Sequence, residues 1–444
     1  MCSREEYITE DVAVNDWRSS LPAPMISKEG ISFWSVLRQS IGRDLTRITI
    51  PIVFNEPLSF LQRLAEYMEY YELLKTADQC DDEIERFEVT NFVHLVSKGA
   101  IWVCRRAIPA FAIWLQFVAA FVISTFAFNH LRLSKPFNPL WFETFELDRQ
   151  YYDELLEAVH YYQQRGISYI QKEDIRSLQG YRFVAEQVSH HPPVSAFHVE
   201  SDFYEFCGTI SPKLRFWGST VEVLPCGSFM LKLLRQNETY MWNSVNVTVH
   251  NIVMGKMYMN LIGCLNTVQG KTIRVAYGNW TALFATCSEK SFEKNYAEWL
   301  QANKAAFDEE TPAEVCLIIV VSLIVGSKLL WKSRPRPINS KEIYNFTSFT
   351  LLMNDPDGLK NYLPRTDSRF RPDIRLLEKG HFEEAAKEKE RLEVKQRQAR
   401  ALQKQLKMQK QPKWFDAKKS TDGPSWVFNR QYWSRDYDDC EDIF

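Results

Sequence analysis

No Cys-x-x-Cys pair occurs in this chain, although it holds nine cysteines among 444 residues. Thiols scattered in this way exclude a zinc ribbon and a disulfide framework, and they suit a reducing compartment. The HExxH pattern of helical zinc sites and the GxSxG turn of serine hydrolases are also missing. Gly270-Lys271-Thr272 does not complete a phosphate loop, because Leu265 stands where the first glycine is needed and no helix pattern follows. Net charge is only −2, so nothing attracts nucleic acid globally. Met1 to Asp16 is acidic and polar and reads as no secretory signal, so the Asn-x-Thr sites at Asn237, Asn246, Asn279 and Asn345 are expected to stay unmodified. No internal repeat is visible. What remains is a cytoplasmic chain, 45% apolar and 14% aromatic, with ample material for a core.

Residues 1–22 read as a flexible acidic tail. Ile31, Trp34, Leu37 and Ile41 share one face of a predicted amphipathic helix over Ile31–Ile41. A second helix is expected over Leu58–Leu74, started by Asn55-Glu56-Pro57. Ala107–Phe128 is long enough to span a bilayer, but Pro109, Gln116, Ser124 and Thr125 interrupt it and basic residues flank both ends. It reads as a buried helix. Val315–Val325 is too short to span and reads as a buried strand, and Arg149–Gln164 as a helix. From Tyr181 to Leu261 the period changes to two: Val221 and Val223, and Val245, Val247 and Val249, alternate with polar residues. Pro225-Cys226-Gly227 and Gln236-Asn237 punctuate these runs without room for helices, which predicts an antiparallel meander or barrel. Glu383–Lys407 reads as a charged helix, and Trp414, Phe415, Trp426, Tyr432 and Trp433 supply aromatics for docking the end of the chain.

Chemistry gathers at Glu186–Pro193, the string EQVSHHPP. The two prolines restrict the backbone beside His190 and His191, and paired imidazoles suit a phosphate because each ring offers N–H donors and can take up a proton. Lys389, Glu393 and Arg397 fall four residues apart on one helical face. Two cations beside a carboxylate suit an anionic polyol, the cations taking phosphate and the carboxylate accepting from hydroxyls. No nucleophile–base–orienter arrangement accompanies the histidines, so an enzyme is not expected.

EQVSHHPP stands in a series with LPAPM (Leu21–Met25), FNEPLSFLQRLAEYME (Phe54–Glu69), KPFNPL (Lys135–Leu140), PKLRFWG (Pro212–Gly218) and SKLLW (Ser327–Trp331). YNFTSF (Tyr344–Phe349), RPDIR (Arg371–Arg375) and KEKERLEVKQR (Lys387–Arg397) complete it. In these blocks the chain closely resembles short members of the oxysterol-binding-protein-related lipid-transfer family. The resemblance implies a mainly β fold with flanking helices: a large incomplete antiparallel β-barrel around a hydrophobic lipid tunnel, with an N-terminal amphipathic lid and a C-terminal helical subdomain. The implied division is a tail over 1–22 and a lipid-binding domain over 23–444, with the lid at about 26–50, helices over 51–134, the barrel over 135–350 and the subdomain over 351–444. The resemblance further implies that phosphatidylinositol 4-phosphate is held by its headgroup on Lys135, Asn138, His190, His191, Lys389, Glu393 and Arg397. Cholesterol or another sterol would compete for the tunnel. Ile31, Trp34, Leu37 and Ile41 would belong to the lid. No cofactor or metal is implied. Association with membrane surfaces would be peripheral, and Glu6-Tyr7-Ile8-Thr9 faintly resembles a motif that binds an endoplasmic-reticulum receptor.

Three departures from the family pattern carry expectations. Trp141-Phe142-Glu143 replaces the usual Leu-Gly-Glu, so Phe142 should narrow the mouth or move its loop. Residues 87–116 and the helical segment before Tyr181 read as insertions. The chain is short between Leu261 and Tyr277, which should cost the barrel a strand pair.

Overall fold

The computed structural model describes residues 18, 20–26, 50–79, 101–106, 113–127, 132, 134–149, 180–217, 220–244, 246–250, 258–262, 274–279, 283–302, 323–355, 362–407, 410–418 and 425–444. Most of the tail, the lid helix with Ile31, Trp34, Leu37 and Ile41, the helix after Arg149, Gly270-Lys271-Thr272 and most of Val315–Val325 lie outside the described residues. At the end of the expected flexible tail, however, Leu21 is buried and Arg18 donates to Glu378 at 2.5 Å, so this part is docked. Of the last segment, Leu323, Ile324 and Val325 are described and lie outside any strand; Ile324 is buried with Leu323 packed beside its cluster, and Val325 is exposed in a turn.

The helix expected over Leu58–Leu74 is three pieces preceded by a strand. Asn55–Ser59 is extended (β1), since Pro57 disfavours a helical conformation at Glu56. The helix starts only at α1 (Phe60–Ala65), where Ser59 and Gln62 form a reciprocal capping box. A 3₁₀ segment, Glu66–Tyr70, then leads into α2 (Glu72–Gln79). Strand β2 (Ile101–Arg106) precedes α3 (Ile113–Ala127), whose Val118, Ala120, Phe121 and Ile123 are buried. The apolar stretch is thus a core helix, and among the described residues no helix is long and apolar enough to cross a membrane.

Short β3 (Lys135–Phe137) and β4 (Thr144–Asp148) lead to the meander: β5 (Arg182–His190), β6 (Pro193–Glu200), β7 (Tyr204–Ile210), β8 (Lys213–Phe216), β9 (Val221–Leu224), β10 (Gly227–Leu233), β11 (Glu238–Asn243), β12 (Asn246–His250) and β13 (Tyr258–Ile262). The turns at Pro225–Cys226 and Gln236–Asn237 fall between strands, as expected. Strands β14 (Arg274–Asn279) and β15 (Leu283–Ser288), helix α4 (Glu289–Ala302) and β16 (Lys328–Lys332) follow, then α5 (Pro372–Glu378), α6 (Phe382–Leu406) and a final hairpin, β17 (Phe415–Ala417) with β18 (Trp426–Phe428).

Six strands form the main sheet, in the order β11-β10-β7-β6-β5-β4, and all their pairings are antiparallel. Two four-stranded sheets, β13-β12-β9-β8 and β16-β15-β14-β2, stand apart from it, so the barrel is not closed among the described residues. Strand β13 pairs only with β12 among the described residues, and β14 takes β2 as its outer neighbour, from a region expected to be helical.

The main sheet is covered on both faces, and strict alternation along β5 shows how. Phe183 packs with Phe197, Phe206 and Phe229 in the central core, where Phe206 also meets Phe121 of α3 edge-on at 5.4 Å. Val184 and Val188 point the other way, into a cluster with Trp414, Phe415, Phe428 and Tyr432. The aromatic end of the chain therefore docks on the outer face of the sheet. Glu186, on that same face, accepts from the Lys413 and Trp414 amides at 3.0 Å each.

Candidate functional site

Strands β1 and β3 run parallel, with Asn55 opposite Lys135. Asn55 uses both ends of its amide: Nδ2 donates to the Lys135 carbonyl at 3.1 Å, and Oδ1 accepts from Lys389 Nζ at 2.9 Å. One asparagine thus ties a lysine of α6 to the strand that presents another. Lys389 also donates to the Ile50 carbonyl and lies 5.6 Å from the Phe137 ring centroid. Lys135 Nζ donates to Asn138 Oδ1 at 2.5 Å and to the Pro136 carbonyl at 3.1 Å.

The loop after β3 is clamped to the histidine strand. Phe142 N donates to the Gln187 carbonyl at 3.1 Å, and Gln187 N donates to the Glu143 carbonyl at 2.9 Å. Glu143 Oε2 accepts from Leu140 N and from Arg371 Nη1, both at 2.8 Å, and Oε1 accepts from Ser368 Oγ at 2.6 Å. Arg371 Nη1 also donates to the Asn138 carbonyl at 2.8 Å, while Nε and Nη2 fork onto Asp373 at 2.8 and 3.0 Å. Phe142 sits within this clamped loop. Its backbone keeps a φ of 68°, the left-handed region glycine enters without penalty, and its ring stacks on Trp141 at 4.6 Å. That conformation costs a residue with a side chain about 1–2 kcal/mol, which the surrounding hydrogen bonds offset.

Strand β5 shifts register between Gln187 and Ser189 before delivering its histidines. Ser195 Oγ donates to Gln187 Oε1 at 2.5 Å, Gln187 Nε2 donates to the Ser189 carbonyl at 2.8 Å, and Ser189 Oγ donates to the Pro192 carbonyl at 2.8 Å. The rings of His190 and His191 sit 4.5 Å apart at 64°, His191 exposed and His190 half-buried. His190 Nδ1 is buried without a hydrogen-bond partner among the described residues.

Burial dominates the electrostatics of this site. Burial, with the Lys389 and Arg371 charges nearby, pushes Lys135 down to about 7, although its partly exposed side chain lets solvent moderate the effect. Burial also lowers Lys389 to about 8, Arg371 adding to the effect while Glu393 resists it. His190 is pushed down to about 4 by burial and by His191, Arg400 and Arg371, so it is neutral at pH 7. The set has surplus cationic character and an orphaned ring nitrogen; a multiply charged anion satisfies both.

The structure brings Lys135, Asn138 and Lys389 into direct linkage, and Glu393 lies close enough to act on both lysines. His190 joins them through the field of Arg371, which also acts on Lys135 and Lys389. Arg397 sits at the rim, 66% exposed, with Nη1 4.0 Å from Glu393 Oε2. Asn55, Gln187 and Arg371 organise the site and were not singled out from the sequence. Asn55 and Arg371 stand inside the FNEP and RPDIR blocks, but nothing local distinguishes a buried organiser from a surface polar residue.

These features define a domain that sets lysines and a histidine pair beside a largely aromatic sheet. The sequence profile described as Oxysterol-binding protein matches residues 32–107 and 113–437, and the chain belongs to that family. It is 35% identical to the oxysterol-binding protein-related protein 2 of Mus musculus, over 98% of this chain and 89% of that one. With the human protein of that name the figure is 36%, over 99% and 90%. The match to related protein 1 of Rattus norvegicus, at 36% identity, spans only 44% of that longer chain. Among solved structures, the Osh1 ORD domain in complex with cholesterol aligns at a TM-score of 0.70 and 26% identity, covering 96% of this chain and 94% of that one. The Osh3 ORD in complex with PI(4)P, from Saccharomyces cerevisiae, aligns at 0.65 and 25%, covering 96% and 99%.

Proposed function

We propose that the chain is a lipid carrier that withdraws phosphatidylinositol 4-phosphate from one membrane and delivers it to another, with cholesterol or another sterol as the competing cargo. The monoester phosphate would lie between Lys135, Lys389 and the His190–His191 pair, with Asn138, Glu393 and Arg397 around the inositol ring. The carrying observation is the Asn55 amide, which joins Lys389 to the Lys135 strand. Related domains solved with cholesterol and with PI(4)P support both cargoes. Ile31, Trp34, Leu37 and Ile41 would close over the acyl chains as a lid. No bond of the lipid need be made or broken.

His190→Ala combined with His191→Ala is expected to lower extraction of this phosphoinositide from liposomes by about tenfold or more, the loss of one or two charge-assisted hydrogen bonds. Unchanged extraction would show that the headgroup binds elsewhere. A second reading, a lipid sensor or scaffold with impaired transfer, draws on the three sheets that do not join among the described residues. Vesicle-to-vesicle transfer measured beside equilibrium binding separates the two, because a sensor binds without transferring.

A further inference from the structure

The face of α6 that carries the headgroup residues does not end with them. Lys389 and Glu393 are followed by Arg400 and Lys404 at spacings of seven and four, so all four lie along one side of the helix. Arg397 flanks this row, and Lys407 extends it as the helix C-cap. From Val394 to Lys413 there are seven lysines and arginines and no acidic residue, in a chain whose net charge is −2. Three of the seven are engaged elsewhere: Lys395 and Lys410 pair with Asp442 and Glu441, and Lys413 donates to the Asp436 carbonyl. Arg397, Arg400, Lys404 and Lys407 are exposed, and the last three form no ion pair among the described residues. Only Ala385 and Leu392 of this 25-residue helix are buried, so its second half stands free of the described core.

We propose that this row is a docking surface for an anionic bilayer, seating the protein so that the headgroup site opens towards the lipid it takes up. The inference rests on the headgroup site proposed above and adds the surface by which the protein reaches it. Two observations favour a bilayer over a nucleic acid. The row continues, on the same helical face, a site suited to a lipid headgroup, and it carries no aromatic side chain on which a base could stack. The exposed Leu402 and Leu406 lie on the opposite flank, so docking is electrostatic and does not insert the helix. Salt must therefore weaken it.

The test is sedimentation of the full chain with vesicles of phosphatidylcholine and phosphatidylserine, free of phosphoinositide, at low and high salt. Binding is expected at low salt, absent from pure phosphatidylcholine vesicles and lost at high salt. Lys404→Gln with Lys407→Gln is expected to weaken partitioning about fivefold per cation removed. A short-chain, water-soluble phosphatidylinositol 4-phosphate serves as the independent arm, and its binding should be unchanged in the double variant. Undiminished sedimentation of that variant, equal binding to neutral vesicles, or capture by single-stranded DNA in preference to vesicles would overturn the docking surface. Failure of the soluble lipid to bind the unaltered chain, with vesicle binding intact, would remove the headgroup reading and leave the surface standing.

Discussion

Burial is the main reason that Lys135 and Lys389 are pushed down to about 7 and about 8; Lys389 and Arg371 add to it at Lys135, and Arg371 adds to it at Lys389 against the pull of Glu393. A bound dianion reverses that balance and raises both values. Binding therefore takes up protons when the free lysines are partly neutral, around their values of about 7 and about 8. Calorimetric titration with the short-chain phosphoinositide in buffers of different ionisation enthalpy, near pH 7.5, is expected to show net uptake. Affinity should fall as pH rises through this window. Lys135→Arg, always protonated, should flatten the dependence, whereas an unchanged slope would place the titrating group elsewhere.

At the scale of elements, the site is a junction of β1, β3, the loop before β4, the end of β5 and α6, locked by one buried arginine. Arg371 satisfies Glu143, Asp373 and the Asn138 carbonyl together. Arg371→Ala would leave two buried carboxylates without their cation, and a loss of about 3–5 kcal/mol is expected in chemical denaturation. Arg371→Lys cannot reproduce the fork and should recover only part of it. The meander, the helix through Glu383–Lys407 and the docking of Trp414 and Phe415 were legible in the sequence because each is written in local periodicity or composition. The start of the Leu58–Leu74 helix was not. Asn55–Ser59 is a strand because a partner 80 positions away lies alongside it, and no window of sequence contains both. Likewise the seven candidate site residues come from motif resemblance, while Asn55 and Arg371 act through long-range contacts that leave no periodic trace. The β2–β14 pairing was invisible on the same grounds, since edge partners are chosen by topology.

Over the whole molecule, buried carboxyls set the response to pH. Burial holds Glu186 up at about 8 against the pull of the Lys413 and Trp414 amides, and burial with nearby Glu66 holds Glu69 at about 7. Both lie above the ordinary 4.5, so the folded chain keeps protons that the unfolded chain has released. Their contribution is complete below 4.5 and is lost as pH rises through about 7 to 8. Unfolding free energy measured against pH should decline across that range. Glu69→Gln should make the decline shallower, by up to about one proton in the linkage slope. A slope identical to that of the unaltered chain would mean that Glu69 is ionised in the fold.

The Asn55 amide reaches 80 positions forward to Lys135 and 334 positions forward to Lys389. A chain emerging from the ribosome can form the first bond early, but the second must wait until α6 has been made, 334 positions after Asn55. The joining of the two lysine-bearing elements therefore depends on chain made long after β1 and β3. A product cut short before α6 would carry the histidines and Lys135 without the second lysine of the candidate site.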